Sequence, residues 1–139
     1  MAGEAAPLTQ AQTSSAVPAT AAGADASGVY LVAPFAGVVA AASIIANAAL
    51  AGANGASRSA QLFNQGQAGA GAVLVAERAF VAGVNAAADD ETALDLSVVP
   101  ADLVVAEGDV LEFVSLHVGA GLAGPAFVGR ASFSRVSGA

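Results

Sequence analysis

Few side chains in this 139-residue chain are suited to chemistry, and His117 is its only histidine. A nucleophilic triad or a histidine metal site would therefore rest on His117 alone, and nothing beside it resembles an activated nucleophile. The chain also has no cysteine, which excludes disulfides, thiolate zinc sites and cysteine nucleophiles. We predict that His117 is an ordinary packed or surface residue at a strand end, and that the protein is not an enzyme.

Three adjacent carboxylates, Asp89, Asp90 and Glu91, form the densest acidic group in the sequence. Their oxygens could hold a calcium ion, but the group lacks the alternating ligands and fixed glycine of a recognised calcium loop. We favour a solvated turn that protects a sheet edge, and we expect no metal site and no cofactor. The later carboxylates are scattered. A hydrolase of unfamiliar type would need two of them facing each other across a cleft, and that hypothesis stays open.

Two glycine-rich stretches, residues 66–71 and 119–124, invite comparison with phosphate-binding loops. Neither is followed by Lys-Ser/Thr and neither opens an obvious helix, as a phosphate loop requires. Both lie between segments that read as strands, and we predict flexible connections.

The cations are four arginines and no lysine, against a formal net charge of −7. Nucleic-acid binding needs clustered positive charge, and so does attraction to anionic lipids, so we expect neither partner. Arginine is a planar, multidentate donor that is enriched in interfaces, which makes Arg58, Arg130 and Arg135 candidate partner-binding residues. A GC-rich genome would supply arginine for lysine without any functional reason, and both accounts stay open.

Residues 1–27 differ in composition from the rest of the chain. They consist almost entirely of small and polar residues, and after Met1 the larger apolar side chains are Leu8 and Val17. Such a segment cannot bury enough surface to offset the entropy of ordering it. We favour a disordered tail; the alternative is an extended arm that orders on a partner surface and binds it through Leu8 and Val17. No basic and apolar leader pattern opens the chain, so a signal peptide is not expected.

From Gly28 onward, short apolar segments alternate with turn signals, which is the pattern of an all-β domain. Residues 29–53 are apolar enough to suggest a membrane helix, but Pro34, Ser43 and Asn47 interrupt them and we predict strands, with no membrane partner. The stretch 46–51 could also be helical, because alanine is the best helix former.

The late strands carry the clearest alternation. Residues 92–98 place Leu94, Leu96 and Val98 on one face, and residues 127–135 alternate apolar with polar side chains. Together with the apolar segments before them, they predict seven or eight strands in residues 28–139. We therefore predict an all-β domain, an antiparallel β-sandwich or jelly roll, preceded by the N-terminal arm of residues 1–27.

Residues 30–136 resemble the small jelly-roll decoration (cement) proteins of tailed bacteriophages. The resemblance lies in the segment Tyr30-Leu-Val-Ala-Pro-Phe-Ala-Gly-Val38, in Ala46-Asn-Ala-Ala49 before a glycine turn, and in Val105-Ala-Glu-Gly-Asp-Val-Leu111. After these come His117-Val-Gly-Ala-Gly121 and a polar closing strand. The pattern covers about three quarters of the chain and contains no single diagnostic motif.

This resemblance implies a structural protein of the virion that sits on the outer capsid surface. It implies a homotrimer that clamps the major capsid protein, with the N-terminal arm lying on the capsid. A second hypothesis is a glycan- or receptor-binding module of a head fibre or tail, although the chain offers one tyrosine and no tryptophan on which to stack a sugar. A subunit of another assembly, such as a tail tube, is a further alternative.

Overall fold

The computed structural model describes residues 9–69 and 71–135, and within these ranges the chain is almost entirely β-structure. The strands are β1 (Thr9–Val17), β2 (Ala26–Val32), β3 (Gly37–Ala46), β4 (Ala56–Asn64), β5 (Val73–Phe80), β6 (Glu91–Ala93), β7 (Asp95–Leu96), β8 (Val104–Val105), β9 (Val110–Gly119) and β10 (Phe127–Arg135). One short 3-10 helix, Pro100–Leu103, precedes β8. In the described ranges no helix is long and apolar enough to cross a membrane.

The strands form two antiparallel sheets of five strands each. The first sheet has the order β1-β10-β3-β6, with β8 also paired to β3, and the second has the order β2-β9-β4-β5-β7. Strands from opposite ends of the chain lie side by side: β1 pairs with β10 and β2 pairs with β9. Because such pairs are distant in sequence, the order of strands follows from the tertiary fold and not from local turns.

The two sheets pack face to face around one apolar core. On β9 the alternate residues Leu111 and Phe113 are fully buried, and on β10 so is Phe133. Alternation of this kind is expected where one sheet face meets the core and the other faces water. The prediction of an all-β antiparallel β-sandwich is confirmed, and so is the alternation predicted for residues 127–135, with Arg130 exposed and Phe127 and Phe133 buried.

The predicted boundary between an N-terminal arm and the β-domain at residue 27 does not match the structure, in which part of that arm belongs to the first sheet. Residues 9–17 form β1, an edge strand of the first sheet that is in register with β10 from Thr9↔Ser134 to Val17↔Phe127. The small side chains of this segment bury little apolar area, but β1 gains backbone hydrogen bonds to β10 on both sides of an irregularity between Thr13 and Ala16. Ser14 also accepts a hydrogen bond from the backbone N–H of Gly129 at 2.9 Å. An extended arm is therefore not confirmed for residues 9–17, and residues 1–8 lie outside the described ranges.

The segment predicted as one strand over residues 92–98 is divided between the sheets. β6 pairs with β3 in the first sheet, while β7 pairs with β5 in the second. Leu94 is buried between them, but Val98 is 95% exposed, so its predicted inward position is wrong. The apolar and polar residues continue to alternate in the sequence where the chain passes from the first sheet to the second, so the alternation does not show where the strand ends. The helical alternative for residues 46–51 is not adopted either, since a strand end and a bridge occupy them.

Candidate partner-binding surfaces

Arg58 lies inside the sandwich and not on its surface. It is 2% exposed, and its guanidinium donates to the carbonyl oxygens of Leu122 (2.7 Å), Ala24 (2.8 Å) and Ala21 (3.1 Å), and to Ser115 Oγ (3.0 Å). These acceptors belong to β9 and to the loops that follow β1 and β9. A buried cation satisfied by several oxygens joins these segments in one geometry. In the described structure Arg58 therefore serves the fold, and its side chain has no free face for a partner.

Burial lowers the pKa of the Arg58 guanidinium, and the carboxylate of Asp25 acts in the opposite direction. Asp25 itself contacts His117: its Oδ1 accepts from the His117 backbone N–H at 2.8 Å and lies 2.6 Å from the ring Nδ1. These hydrogen bonds hold the pKa of Asp25 below its usual range, and the bond from the His117 backbone N–H has the larger effect. His117 is thus a half-exposed structural partner of Asp25 at the end of β9.

The remaining sequence candidates are spread over the molecule. Val17 is fully buried at the end of β1, opposite Phe127. Arg135 is exposed at the end of β10, with its guanidinium 4.7 Å from the centre of the Phe35 ring. Leu8 lies outside the described residues. The four candidates among the described residues do not form a cluster, and Arg130 and Arg135 are the two of these with exposed side chains.

Arg130 projects from the middle of the outer face of the first sheet. It forms an ion pair with Glu91 on β6 at 3.7 Å, and the same carboxylate accepts a hydrogen bond from Ser43 on β3. These groups line a shallow groove of about 410 Å³ together with Ala41 and Ser132. The groove is open, it is lined by alanines as well as by polar side chains, and it spans β10, β3 and β6.

The outer face around this groove is covered mainly by short side chains, and we call it the flat face. Across β1, β10 and β3 its outward positions are mostly threonine, serine and alanine, including Thr13, Ala11, Ser132 and Ala41. Short side chains on a sheet leave a broad surface that another protein can approach closely, with Arg130 as the long charged group within it.

The outer face of the second sheet has the opposite character. Tyr30 and Val32 of β2 are each 51% exposed, and Val118 of β9 is 44% exposed. Tyr30 pairs with Glu112 and Val32 pairs with Val110 of β9. The half-buried Phe63 and Val114 lie on the same outer face. Sequence reasoning did not select Tyr30 or Val32 as site residues, because outward and inward residues of an apolar strand look alike until the partner strand is known.

In the described ranges no group of three or more histidine, cysteine or acidic side chains is arranged to hold a metal ion. The turn at residues 89–91 is fixed locally instead: Asp90 accepts from the backbone N–H of Glu91 at 2.9 Å, and the Asp89 N–H donates to the carbonyl of Ala46 at 2.8 Å. Inside the sandwich, the void that Arg58 lines with Phe80 and Phe127 measures about 10 Å³, which is room for at most one water.

Comparisons with protein-family models, with curated proteins and with solved structures found no match to this chain. What supports a function is therefore the form of the two outer faces, together with the sequence resemblance. One face is flat and polar with paired charge, and the other is apolar along a free edge.

Proposed function

We propose that this protein is a structural protein of a bacteriophage virion that binds the outside of the capsid and stabilises the shell. The observation that carries the proposal is the flat outer face of the first sheet, built from small side chains on β1, β10 and β3. A specific protein–protein contact buries about 800 Å² on each partner. A sheet face of short side chains lets a partner contact several strands at once without a cleft. The protein would act through buried contact area, without catalysis and without a cofactor.

The strand order supports the same proposal. Pairs are nested from both ends of the chain, β1 with β10 and β2 with β9, and successive strands alternate between the two sheets except for β4 and β5, which pair with each other. We interpret this connectivity as a jelly roll, an architecture found in viral capsid and lectin domains. Because one fold serves many functions, the strand order by itself supports the class of protein only through analogy.

The proposed partner is the major capsid protein, bound at the flat face. Arg130 is 46% exposed there beside Glu91, so it can keep its ion pair while donating to a capsid carboxylate. Arg135 lies at the end of the same strand. The sequence resemblance implies a homotrimer whose N-terminal arm, residues 1–27, lies on the shell. Because residues 9–17 form β1, we propose that residues 1–8, which include Leu8, make a further contact with the shell.

The proposal is tested by sedimenting undecorated phage capsids with the purified full-length chain. We expect saturable binding and a higher temperature of capsid disruption. Ala41→Trp, which places a large ring on the flat face, should abolish binding while leaving the thermal unfolding of the free protein nearly unchanged. Ala79→Trp is the matched control, because Ala79 is also an exposed alanine on a strand but lies on the second sheet. Absence of binding by the unmodified chain would contradict the proposal, and equal loss in both variants would contradict the assignment of the face.

A second candidate function is binding of a host glycan in the groove around Arg130. Its volume of about 410 Å³ lies in the range of small-molecule sites, and it offers a carboxylate, a guanidinium and two hydroxyls. No aromatic side chain lines it. A glycan array probed with the purified protein separates the two functions: an Arg130-dependent glycan signal without capsid binding would favour this second candidate.

A further inference from the structure

We propose that a second copy of this chain pairs along β2, so that two second sheets join edge to edge about a two-fold axis. This inference is independent of capsid binding at the flat face, and the two-fold pairing replaces the homotrimer that the sequence resemblance implies. It concerns the side of the sandwich where β2 ends the second sheet and has no strand partner among the described residues on the side away from β9.

The backbone of β2 leaves hydrogen-bonding groups at this free edge. Ala33 N–H donates to the Asp109 carbonyl at 2.8 Å and the Ala33 carbonyl accepts from Gly108 N–H at 3.0 Å, so Ala33 directs its groups inward to the β9 side. Residues of a strand alternate in this direction, which places the N–H and C=O groups of Tyr30 and Val32 at the open edge. An uncharged edge with free groups is a template for a further strand.

The side chains of these two residues favour the same contact. Tyr30 and Val32 pair with Glu112 and Val110 of β9, and each remains 51% exposed on the outer face. An aromatic and a β-branched residue that face each other across two strands stabilise the pairing. Two copies joined along β2 would bury four such side chains against one another.

The distribution of charge favours β2 as the place where a second copy of this acidic chain can bind. At a net charge of −7, two copies repel unless the contact surface avoids their carboxylates. Six of the eleven acidic residues lie on β5, β6, β7, the turn before β6 and the 3-10 helix, at the opposite edge of the sandwich: Glu77, Asp89, Asp90, Glu91, Asp95 and Asp102. No charged residue occurs between Asp25 and Arg58, which includes all of β2.

The acidic side chains near β2 are already bound within the chain, including Asp25, the residue before β2, which contacts His117. Glu112 accepts hydrogen bonds from the Gly28 N–H and from Gln65. Asp109 accepts from Asn64 at 3.1 Å and from the Ala106 N–H at 2.9 Å. The donors to Glu112 and Asp109 are uncharged, so both carboxylates keep their charge, but the hydrogen bonds hold the two side chains in fixed positions.

The geometry also fixes the register. The Gly28 N–H is taken by Glu112 and Pro34 has no N–H, so the free edge is limited to Tyr30 and Val32. A two-fold axis at Leu31 places Tyr30 of one copy opposite Val32 of the other. Each of these two residues then exchanges both backbone hydrogen bonds with the opposite residue of the second copy.

The test is the mass of the full-length protein in solution, measured by sedimentation equilibrium over a range of concentrations. We expect a reversible species of twice the 13.2 kDa mass of one chain. Tyr30→Lys and Val32→Glu should each raise the dissociation constant about tenfold or more, since a single charge would be buried against an apolar partner. The double variant Tyr30→Lys with Val32→Glu places a lysine of one copy opposite a glutamate of the other, and should recover most of the loss.

Val98→Lys is the matched control, because Val98 is 95% exposed and far from β2, and it should leave the mass unchanged. Circular dichroism of every variant separates loss of pairing from loss of fold. A monomer at all concentrations would overturn the proposal. A trimer would overturn the two-fold pairing, but it would not bear on capsid binding, which the sedimentation experiment with capsids tests. Dimers that Tyr30→Lys leaves unchanged would overturn the assignment of the contact to β2.

Discussion

Gly129 on β10 and the ring of Phe113 on β9 face each other across the sandwich with no room for another atom. A Cβ added to Gly129 would stand 2.3 Å from the nearest Phe113 ring carbon, far inside van der Waals contact. Phe113 is fully buried, and the Gly129 backbone N–H is taken by Ser14. The missing side chain at residue 129 is therefore what allows a phenylalanine to fill the centre of the core.

Gly129→Ala should lower the free energy of unfolding by about 1–3 kcal/mol, because overfilling a packed core forces side chains off their rotamers. Urea denaturation followed by circular dichroism measures the loss. Phe113→Leu should be destabilising alone but should relieve part of the cost of Gly129→Ala, so the double variant loses less than the sum. Strict additivity of the two changes would contradict the contact.

Removal of the Arg58 side chain should be among the most damaging single changes. Arg58→Met leaves the carbonyls of Ala21, Ala24 and Leu122 without their donor, and we expect a loss of about 3 kcal/mol or more. Arg78→Met is the control, since Arg78 makes one ion pair at 3.5 Å with a largely exposed Asp95 and should cost less than about 1 kcal/mol. Thermal or urea unfolding of both variants decides; equal losses would mean that the Arg58 hydrogen bonds do not stabilise the fold.

The pairing of Asp25 with His117 should make stability depend on pH. The pKa of Asp25 is lowered in the folded protein, so its carboxylate contributes stability above the unfolded value and this is lost as pH falls through the folded pKa. Asp25→Asn should therefore be less stable than the unmodified chain near neutral pH, and the gap should narrow below about pH 4.

The measurement for Asp25→Asn is the urea midpoint at a series of pH values. Glu107→Gln serves as the comparison, because Glu107 is an exposed carboxylate on the turn before β9. A gap of the same size at every pH would show that the charge of Asp25 is not what stabilises this contact.

The division of residues 92–98 between two sheets predicts unequal costs for two apolar residues of one segment. Leu94→Ala should cost about 2–3 kcal/mol, because Leu94 is 5% exposed in the core. Val98→Ala should change stability by less than about 0.5 kcal/mol, because Val98 lies in water. Similar costs, measured by the same urea titration, would instead fit the single inward-facing strand that the alternation suggests.

The fold class could be predicted because turn signals and β-prone segments are local. Glycine, proline and asparagine end the segments close to where β3, β4, β5 and β10 end in the structure. The strand at residues 9–17 was not predicted, since its stability comes from β10, more than a hundred residues away, and not from its own apolar content.

The candidate site could be predicted only in part. Arg130 and Arg135 were selected for their chemistry and are exposed, but Arg58 was selected for the same reason and is buried. The residues next to Arg58 in the sequence do not predict which carbonyl groups surround its guanidinium. The carbonyls of Ala21 and Leu122 belong to loops that are distant in sequence.

Alone, the sequence determined that this is an acidic, cysteine-free chain of short strands with a single histidine, since composition and local period require no partner strand. The tertiary structure decided which strands are neighbours, and so which face is flat, which edge is open and which cation is buried. The physical reason is that strand pairing joins residues by backbone hydrogen bonds that are nearly independent of side-chain identity. Burial is then assigned only when two distant strands meet.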